Sequence, residues 1–368
     1  MLSVVHVCTD FYPSTGGIEQ FVGELAQRSA DIGVRVTVVC FNRTKAAPGR
    51  LPSDARMSAV AVKRIPFIDL RYYKPCVIPL STIRSHDIVH VHGIGAPLDY
   101  IALTKVLHDR PIVVSTHGGI FHTPTIGRLK RLYFQRVARF AVGRVNVVAA
   151  CSESDASLFR AISDRVTLLE NAVDVEPYLA LTGARRVPGR CLYVGRLAEN
   201  KGIDLLLRAA ASARRRESQF SLRLVGPDVE GKRRDYEAMA ESLGICDRVT
   251  FVGMVSSESL LEEFALAENF VSASLYEGFG ISAIEARAAG CRLLLHDNEA
   301  FRSLFKSDSA VTLLDFRNTE LAGAAFAKLL NESPRPTIVE TRRWVEKFSW
   351  SRKIQEWTDL YRRISPPD

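Results

Sequence analysis

The stretch NFVSASLYEGFGISAIEA, Asn269–Ala286, decides how this chain folds. Its first seven residues, to Leu275, form a short apolar run of the kind that makes a buried strand. Gly278 and Gly280 then interrupt it, and their lack of a side chain lets the loop pass close to a ligand. A helix follows. Strand, glycine turn and helix in that order are the building unit of a parallel doubly wound sheet. The loop and helix also carry two acids, Glu277 and Glu285. Ser282 and Glu285 fit an S-x-x-E capping box at the helix start. Glu285 is equally able, as a carboxylate, to accept two hydrogen bonds from the vicinal hydroxyls of a ribose.

The same unit recurs outward in both directions. Strands are expected at SVVHVC (3–8), VRVTVVCF (34–41), DIVHVHG (87–93), PIVVSTHGG (111–119) and VNVVAACS (145–152), with a helix over IEQFVGELAQRSADIG that ends at Gly33. The pattern restarts at CLYVGRL (191–197) and continues through FSLRLVGP (220–227), RVTFVGMV (248–255), our opening stretch and CRLLLH (291–296). Between the halves, VEPYLALTGARRVPGR (175–190) is rich in turn formers and basic residues and reads as a linker. The expectation is an α/β protein of two doubly wound domains, 1–175 and 176–347, followed by a terminal segment, 348–368. In that segment Trp350, Ile354, Trp357 and Tyr361 fall on one face of a helix that must bury them.

The bulk properties agree with a globular enzyme or binding protein: 47% hydrophobic and 24% charged residues over 368 positions. The seven cysteines are scattered, none at metal-ligand spacing, and read as reduced core residues of a cytoplasmic protein. The opening MLSVVHVCTDFYP lacks the basic leader of a signal peptide, and no apolar run reaches the length of a membrane span. Residues 1–175 hold 21 Lys+Arg against 14 Asp+Glu, so the first half carries most of the net charge of +8 and suits an anionic partner. No aromatic-basic module for nucleic acid is visible.

Ligands of such sheets bind beyond the C-terminal strand ends, and the polar motifs fall there. In YPSTGGIEQ, Gly16 and Gly17 precede a helix whose free amides suit a diphosphate, although the same glycines serve a plain tight turn. The dinucleotide pattern G-x-G-x-x-G is absent, which argues against a nicotinamide oxidoreductase. In GRLAENKG, Arg196 and Lys201 share one strand-to-helix loop and either hold a diphosphate or stand solvated. Glu277 either meets sugar hydroxyls or faces developing positive charge, and the amides of Phe279, Gly280 and Ile281 lie where a phosphate would be gripped. His90, His92, His117 and His122 sit at or near strand ends, where they serve as hydrogen-bond donors or as ordinary structural groups; metal coordination finds no carboxylate nearby. GRLKRLYFQRVARFAVGR (127–144) alternates arginines and apolar residues, either as a surface helix or as one that lies on an anionic membrane.

Taken together these motifs resemble the retaining glycosyltransferases of family four, which have the GT-B fold. The resemblance covers nearly the whole chain. It rests on EGFGISAIE (277–285), Gly16-Gly17, STHGG with His117, ENAVD (170–174), GRLAENKG and LVGPD (224–228). It implies two Rossmann-like domains facing across a cleft, the first for the acceptor and the second for a nucleotide-sugar, with the terminal helix crossing back to the first. It implies sugar transfer with retention of configuration and without a metal ion. Arg196 and Lys201 would carry the donor diphosphate, Glu285 the ribose, Glu277 the donor sugar, and His117 its hydroxyls; the base would sit near FVGMV (251–255). HGIGAPLDYIAL, VVSTHGGIFHT and ACSESDASLF further resemble the bacterial α-mannosyltransferases of xanthan-like exopolysaccharide synthesis. That likeness implies GDP-mannose as donor, a polyprenyl-diphosphate-linked oligosaccharide as acceptor, and a place on the cytoplasmic face of the inner membrane. Four departures stand out: Ala172 where the family has glycine, Arg287 and Arg292 where it has small or apolar residues or proline, and HDNEAF (296–301), which lacks the common glycine before its glutamate. A GT-B epimerase and a non-catalytic nucleotide-sugar-binding subunit are the rival functions.

Overall fold

The computed structural model describes residues 1–14, 16–44, 49–71, 73–117, 131–216, 219–331 and 336–365. The chain forms two compact units. One comprises Met1–Ala172 together with the residues from Ser351 on; the other is Val173–Trp350.

The first unit is built on an eight-stranded sheet. Its strands are β1 (Ser3–Val7), β2 (Arg35–Phe41), β3 (Asp54–Met57), β4 (Val60–Ile65), β5 (Ile88–His92), β6 (Ile112–Ser115), β7 (Val147–Ala150) and β8 (Val166–Leu168), in the order β3-β4-β2-β1-β5-β6-β7-β8. All neighbours run parallel except the edge pair β3/β4. The strand order reverses between β1 and β5, which is where a doubly wound sheet opens a crevice. β1, β5, β6 and β7 are buried along their whole length, as strands covered on both faces must be. The helix Trp350–Ile364 buries Trp350, Ile354, Trp357 and Tyr361, the face expected from their spacing.

The second unit has six parallel strands: β9 (Arg190–Val194), β10 (Ser221–Val225), β11 (Val249–Gly253), β12 (Asn269–Ser272), β13 (Arg292–His296) and β14 (Val311–Leu314). Their order is β11-β10-β9-β12-β13-β14, with the reversal between β9 and β12. One core lies around Leu206, Leu207, Leu222 and Phe326, the other around Phe264, Phe270, Ile284 and Phe301.

Several local readings need correction. Residues 175–190 are not a linker. Glu176–Leu179 is helical, and Tyr178 and Leu179 enter the second core. Arg186 is buried, its guanidinium donating to the carbonyls of Leu181, Phe264, Ala267 and Ala289. An arginine that closes four carbonyls is a structural clamp, although its composition reads as solvated chain. Six cysteines are buried as expected, but Cys246 is exposed. Ala172 keeps a negative φ, so the glycine expected there is not needed for a left-handed turn. Of the basic segment 127–144, Arg131–Val142 is helical with a π turn at Phe134–Ala138; 127–130 and His122 lie outside the described residues.

Candidate active site

In the second unit the reversal point brings two strand-to-helix loops together. Leu275 N–H donates to the Asn200 carbonyl at 3.0 Å, and Asn298 Nδ2 holds the Ser274 carbonyl at 2.8 Å. Gly202 caps the helix Ile203–Arg214 at φ +61, and a Cβ there would run into the Ala273 carbonyl. Only glycine permits both the left-handed turn and this approach. The loop after β9 is laced to the loop after β10 in turn: Gly195 N–H donates to the Val225 carbonyl and Leu197 N–H to that of Pro227, each at 2.9 Å.

This frame sets Lys201 against Glu277. Lys201 Nζ lies 2.7 Å from Glu277 Oε1, and each side chain is only 14% exposed. Two residues 76 positions apart thus form a charge-assisted bond in a largely desolvated place, where it is stronger than on the surface. Arg196, two residues past the end of β9, is exposed and makes no side-chain bond among the described residues; its carbonyl accepts from the buried Tyr193 hydroxyl at 3.0 Å. One cation of the expected pair is therefore held by an acid and the other is free to meet a ligand.

The helix after the opening stretch runs Ile281–Ala288 and is capped by Gly280 at φ +90, without a side-chain cap. The capping box is thus overturned. The helix begins before Ser282, so Ser282 and Glu285 both lie inside it. A Cβ on Gly280 would meet the Phe301 ring at 2.8 Å, which reserves the position for glycine. The Phe279 side chain is 5% exposed, in core contact edge-on to Phe348. Its contribution is its amide: those of Phe279, Gly280 and Ile281 find no acceptor among the described residues. Free donors at a helix start, with the helix dipole behind them, form an anion site. Released from capping, Glu285 meets Tyr178 and Asp174. Burial pushes its pKa up to about 7; the Tyr178 hydroxyl bond opposes this and the Asp174 charge adds to it. Tyr178 lay in the supposed linker and escaped notice for that reason.

In the first unit Gly16 and Gly17 open the helix Gly17–Asp31 at the end of β1, with Gly16 as an extended N-cap. Phe21 of this helix packs edge-on against His117 at 5.2 Å, so the glycine turn and His117 share one locality. His117 follows β6 and has φ +48, a left-handed backbone that residues with side chains seldom adopt. Its Nε2 lies 3.0 Å from His92 Nδ1, and His92 Nε2 lies 2.9 Å from Nδ1 of His6. His90 is bound at both nitrogens, to Ser115 Oγ and the Tyr361 hydroxyl, each at 2.7 Å. His6, His90 and His92 are buried, and burial holds all three, with His117, below the ordinary histidine range. His90 and His92 are thus interior groups that reach no ligand directly, and His6 went unnoticed because a histidine inside an apolar strand gives no signal.

Residues 15–177 match the profile described as Glycosyltransferase Family 4, and residues 186–345 the one described as Glycosyl transferases group 1. A GDP-mannose:cellobiosyl-diphosphopolyprenol alpha-mannosyltransferase from Xanthomonas oryzae pv. oryzae is 34% identical over 370 residues, covering 98% of this chain and 96% of that one. The chain belongs to glycosyltransferase family 4. A protein of the same description from Komagataeibacter xylinus is 29% identical to this glycosyltransferase over 99% of its length and 93% of the relative's. Among solved structures, sucrose-phosphate synthase from Thermosynechococcus elongatus superposes with a TM-score of 0.72 at 19% identity, covering 99% of each chain. HepE from Anabaena, solved with UDP and glucose, gives 0.72 at 16% identity over 99% of this chain and 100% of that one. The glycosyltransferase therefore has the GT-B fold.

The two arginines that depart from the family pattern are structural. Arg287 Nε bonds Asp308 Oδ2 at 2.7 Å and Nη1 bonds Thr341 Oγ1 at 2.8 Å. Arg292 Nε donates to Asn269 Oδ1 at 3.1 Å, with Glu268 at 3.5 Å. Both are buried; Arg292 ties β13 to β12 and Arg287 ties its helix to Asp308 and to the helix Ile338–Val345, so in this glycosyltransferase they hold the fold rather than a ligand.

Proposed function

We propose that this protein transfers mannose from GDP-mannose, with retention, to a polyprenyl-diphosphate-linked glycan. The observation that carries this is the similarity, along almost the whole chain, to relatives whose names specify that donor and a cellobiosyl-diphosphopolyprenol acceptor. The second unit supplies matching chemistry. Arg196, Lys201 and the amides of Phe279, Gly280 and Ile281 carry the diphosphate and take up the charge that grows on it as the sugar leaves. Glu285 accepts from the ribose hydroxyls, and Glu277 from the sugar. Gly16, Gly17 and His117 line the substrate side of the first unit. With cations and amides supplying positive charge, the reaction needs no metal, and chelation leaves its rate unchanged.

The test is a panel of nucleotide-sugars with and without cellobiosyl-diphosphopolyprenol, read by mass spectrometry of the lipid. Mannosylated lipid from GDP-mannose alone among the donors is the expected result. Faster transfer from a UDP-sugar, or conversion of the donor without acceptor as in an epimerase, overturns the reading.

The raised pKa of Glu285 gives a pH dependence. Ribose hydroxyls donate to the carboxylate, so GDP-mannose affinity rises with pH through about 7. Below that value it falls by at most about tenfold per unit. Both phosphates of the donor are esterified and do not titrate there. Titration calorimetry on Glu285→Gln should show a flat profile. The linked stability has the opposite sense. The folded protein holds this proton more tightly than the unfolded chain, so the contribution is full below the ordinary glutamate value of 4.5 and is lost as pH rises through about 7.

We further propose that this protein sits on the cytoplasmic face of an anionic membrane through the helical residues 131–142. Leu132, Val137 and Phe140 are exposed on it, and Arg131, Arg136 and Arg139 line an open groove of about 600 Å³. No described helix is long and apolar enough to cross a membrane. Each arginine near an anionic surface contributes about 1 kcal/mol. Replacing the three with glutamine should weaken sedimentation with phosphatidylglycerol vesicles by about a hundredfold. Unchanged sedimentation removes this assignment.

A further inference from the structure

We propose that His6 and His92 are positioning residues that fix the tautomer of His117, keeping a proton on its Nδ1 so that this nitrogen meets a substrate oxygen as a donor. The inference rests on His117 facing substrate, as proposed above.

The register of the sheet makes the arrangement. β1 and β5 pair so that His6 stands beside His90, and His92 lies two residues on, on the same face. On β6, His92 is level with Ser115, two residues before His117. Three rings therefore lie edge to edge in series: His6 to His92 at 5.2 Å and His92 to His117 at 5.3 Å between centroids, with their planes 22° and 26° apart. Their nitrogens join end to end at 2.9 and 3.0 Å.

A neutral imidazole has one donor and one acceptor nitrogen. Two joints between three neutral rings leave two consistent arrangements, in which every proton points one way or every proton points the other. The ends decide between them. His6 Nε2 is buried and has no partner. With the protons pointing outward, that nitrogen is a bare lone pair and His117 Nδ1 carries N–H. With the protons reversed, His6 Nε2 becomes an orphaned buried N–H, the rarer and more costly situation. The outward arrangement is the one this cluster selects. It also inverts the usual preference of a solvated imidazole, and reversing it means moving three protons together.

A metal centre at His6, His90 and His92 is the competing reading, since their ligand atoms lie within 4.8 Å of one another. It fails on occupancy. His90 is bound at both nitrogens, His92 is bound at both, and His6 is bound at one. Any ion would first have to break these bonds.

The consequence is chemical. With Nδ1 protonated and its pKa depressed to about 4 by burial, His117 acts near neutrality as a hydrogen-bond donor to a sugar or phosphate oxygen and not as a base.

The test is long-range ¹H–¹⁵N correlation on the full-length protein labelled with ¹⁵N-histidine, at neutral pH and without ligand. The expected pattern is a protonated Nδ1 and a bare Nε2 for His6, His92 and His117 alike. A proton on His117 Nε2, or a doubly protonated ring, overturns the proposal. This spectrum needs no variant and no substrate, so it stands or falls apart from the identity of the donor. His92→Phe cuts the series. In it His117 should shift toward the Nε2–H form and kcat should fall about tenfold, the worth of one hydrogen bond. An unaltered His117 signature in a folded His92→Phe protein also overturns the proposal.

Discussion

Lys201→Ala is expected to lower kcat for mannosyl transfer by about 10²–10³-fold, the usual cost of removing one preorganised group that stabilises developing charge. The loss has two parts. On the proposed reading the diphosphate forfeits a cation, and Glu277, 14% exposed and formerly 2.7 Å from that cation, is left as an unpaired carboxylate beside an anionic ligand. The second part is separable. In Lys201→Ala with Glu277→Gln, the stranded charge is gone, so donor KM should recover toward the wild type while kcat stays low. Steady-state kinetics on the four members of this cycle give the coupling directly, and thermal melts confirm that each folds. A Lys201→Ala enzyme within threefold of wild-type kcat would exclude the lysine from the chemistry.

The second large effect is on stability. Arg287→Ala should destabilise the second unit by about 3–5 kcal/mol, because it strands a buried partner rather than merely deleting a contact. Asp308 is 3% exposed at its side chain, and its ion pair is with Arg287, which also bonds Thr341 and lies over Trp344 at 5.6 Å. Replacing both members, as Arg287→Met with Asp308→Leu, should recover most of the loss, since the pair offsets its own desolvation poorly. Denaturant unfolding followed by tryptophan fluorescence measures both. A midpoint unmoved by Arg287→Ala would contradict the buried pair.

Much of the architecture is legible in the primary structure because central parallel strands are covered on both faces and read as unbroken apolar runs. β1, β5 and β12 are of this kind. Four strands escape: β3, β8 and β14 at sheet edges, and β4, one place in from β3, where buried residues alternate with partly or fully exposed ones. β3 is Asp-Ala-Arg-Met with its first three residues exposed, and β8 and β14 are short and incompletely buried. Such segments owe their conformation to the neighbour they pair with, which no local pattern encodes. The site divides similarly. Glycine turns and the acids around them are local and stand out. The Lys201–Glu277 bond, the clamp at Arg186 and the histidine series join positions far apart in sequence, and each looks like an isolated polar residue until the strands are set in register. Glu285 shows the finer limit: two glycine-loop residues decide where the helix starts, and that start determines whether the carboxylate caps the chain or faces Tyr178.

The first unit is interrupted in sequence by the whole of the second. During synthesis its sheet emerges early, yet Trp357 and Tyr361, which cover His90, emerge only after the whole of the second unit. The nascent sheet therefore waits with an aromatic-sized gap over its middle strands until the second unit has been made. Damage at Trp357 or Tyr361 would strike the part of the molecule made first, while the later insert, complete by Trp350, could ripen undisturbed.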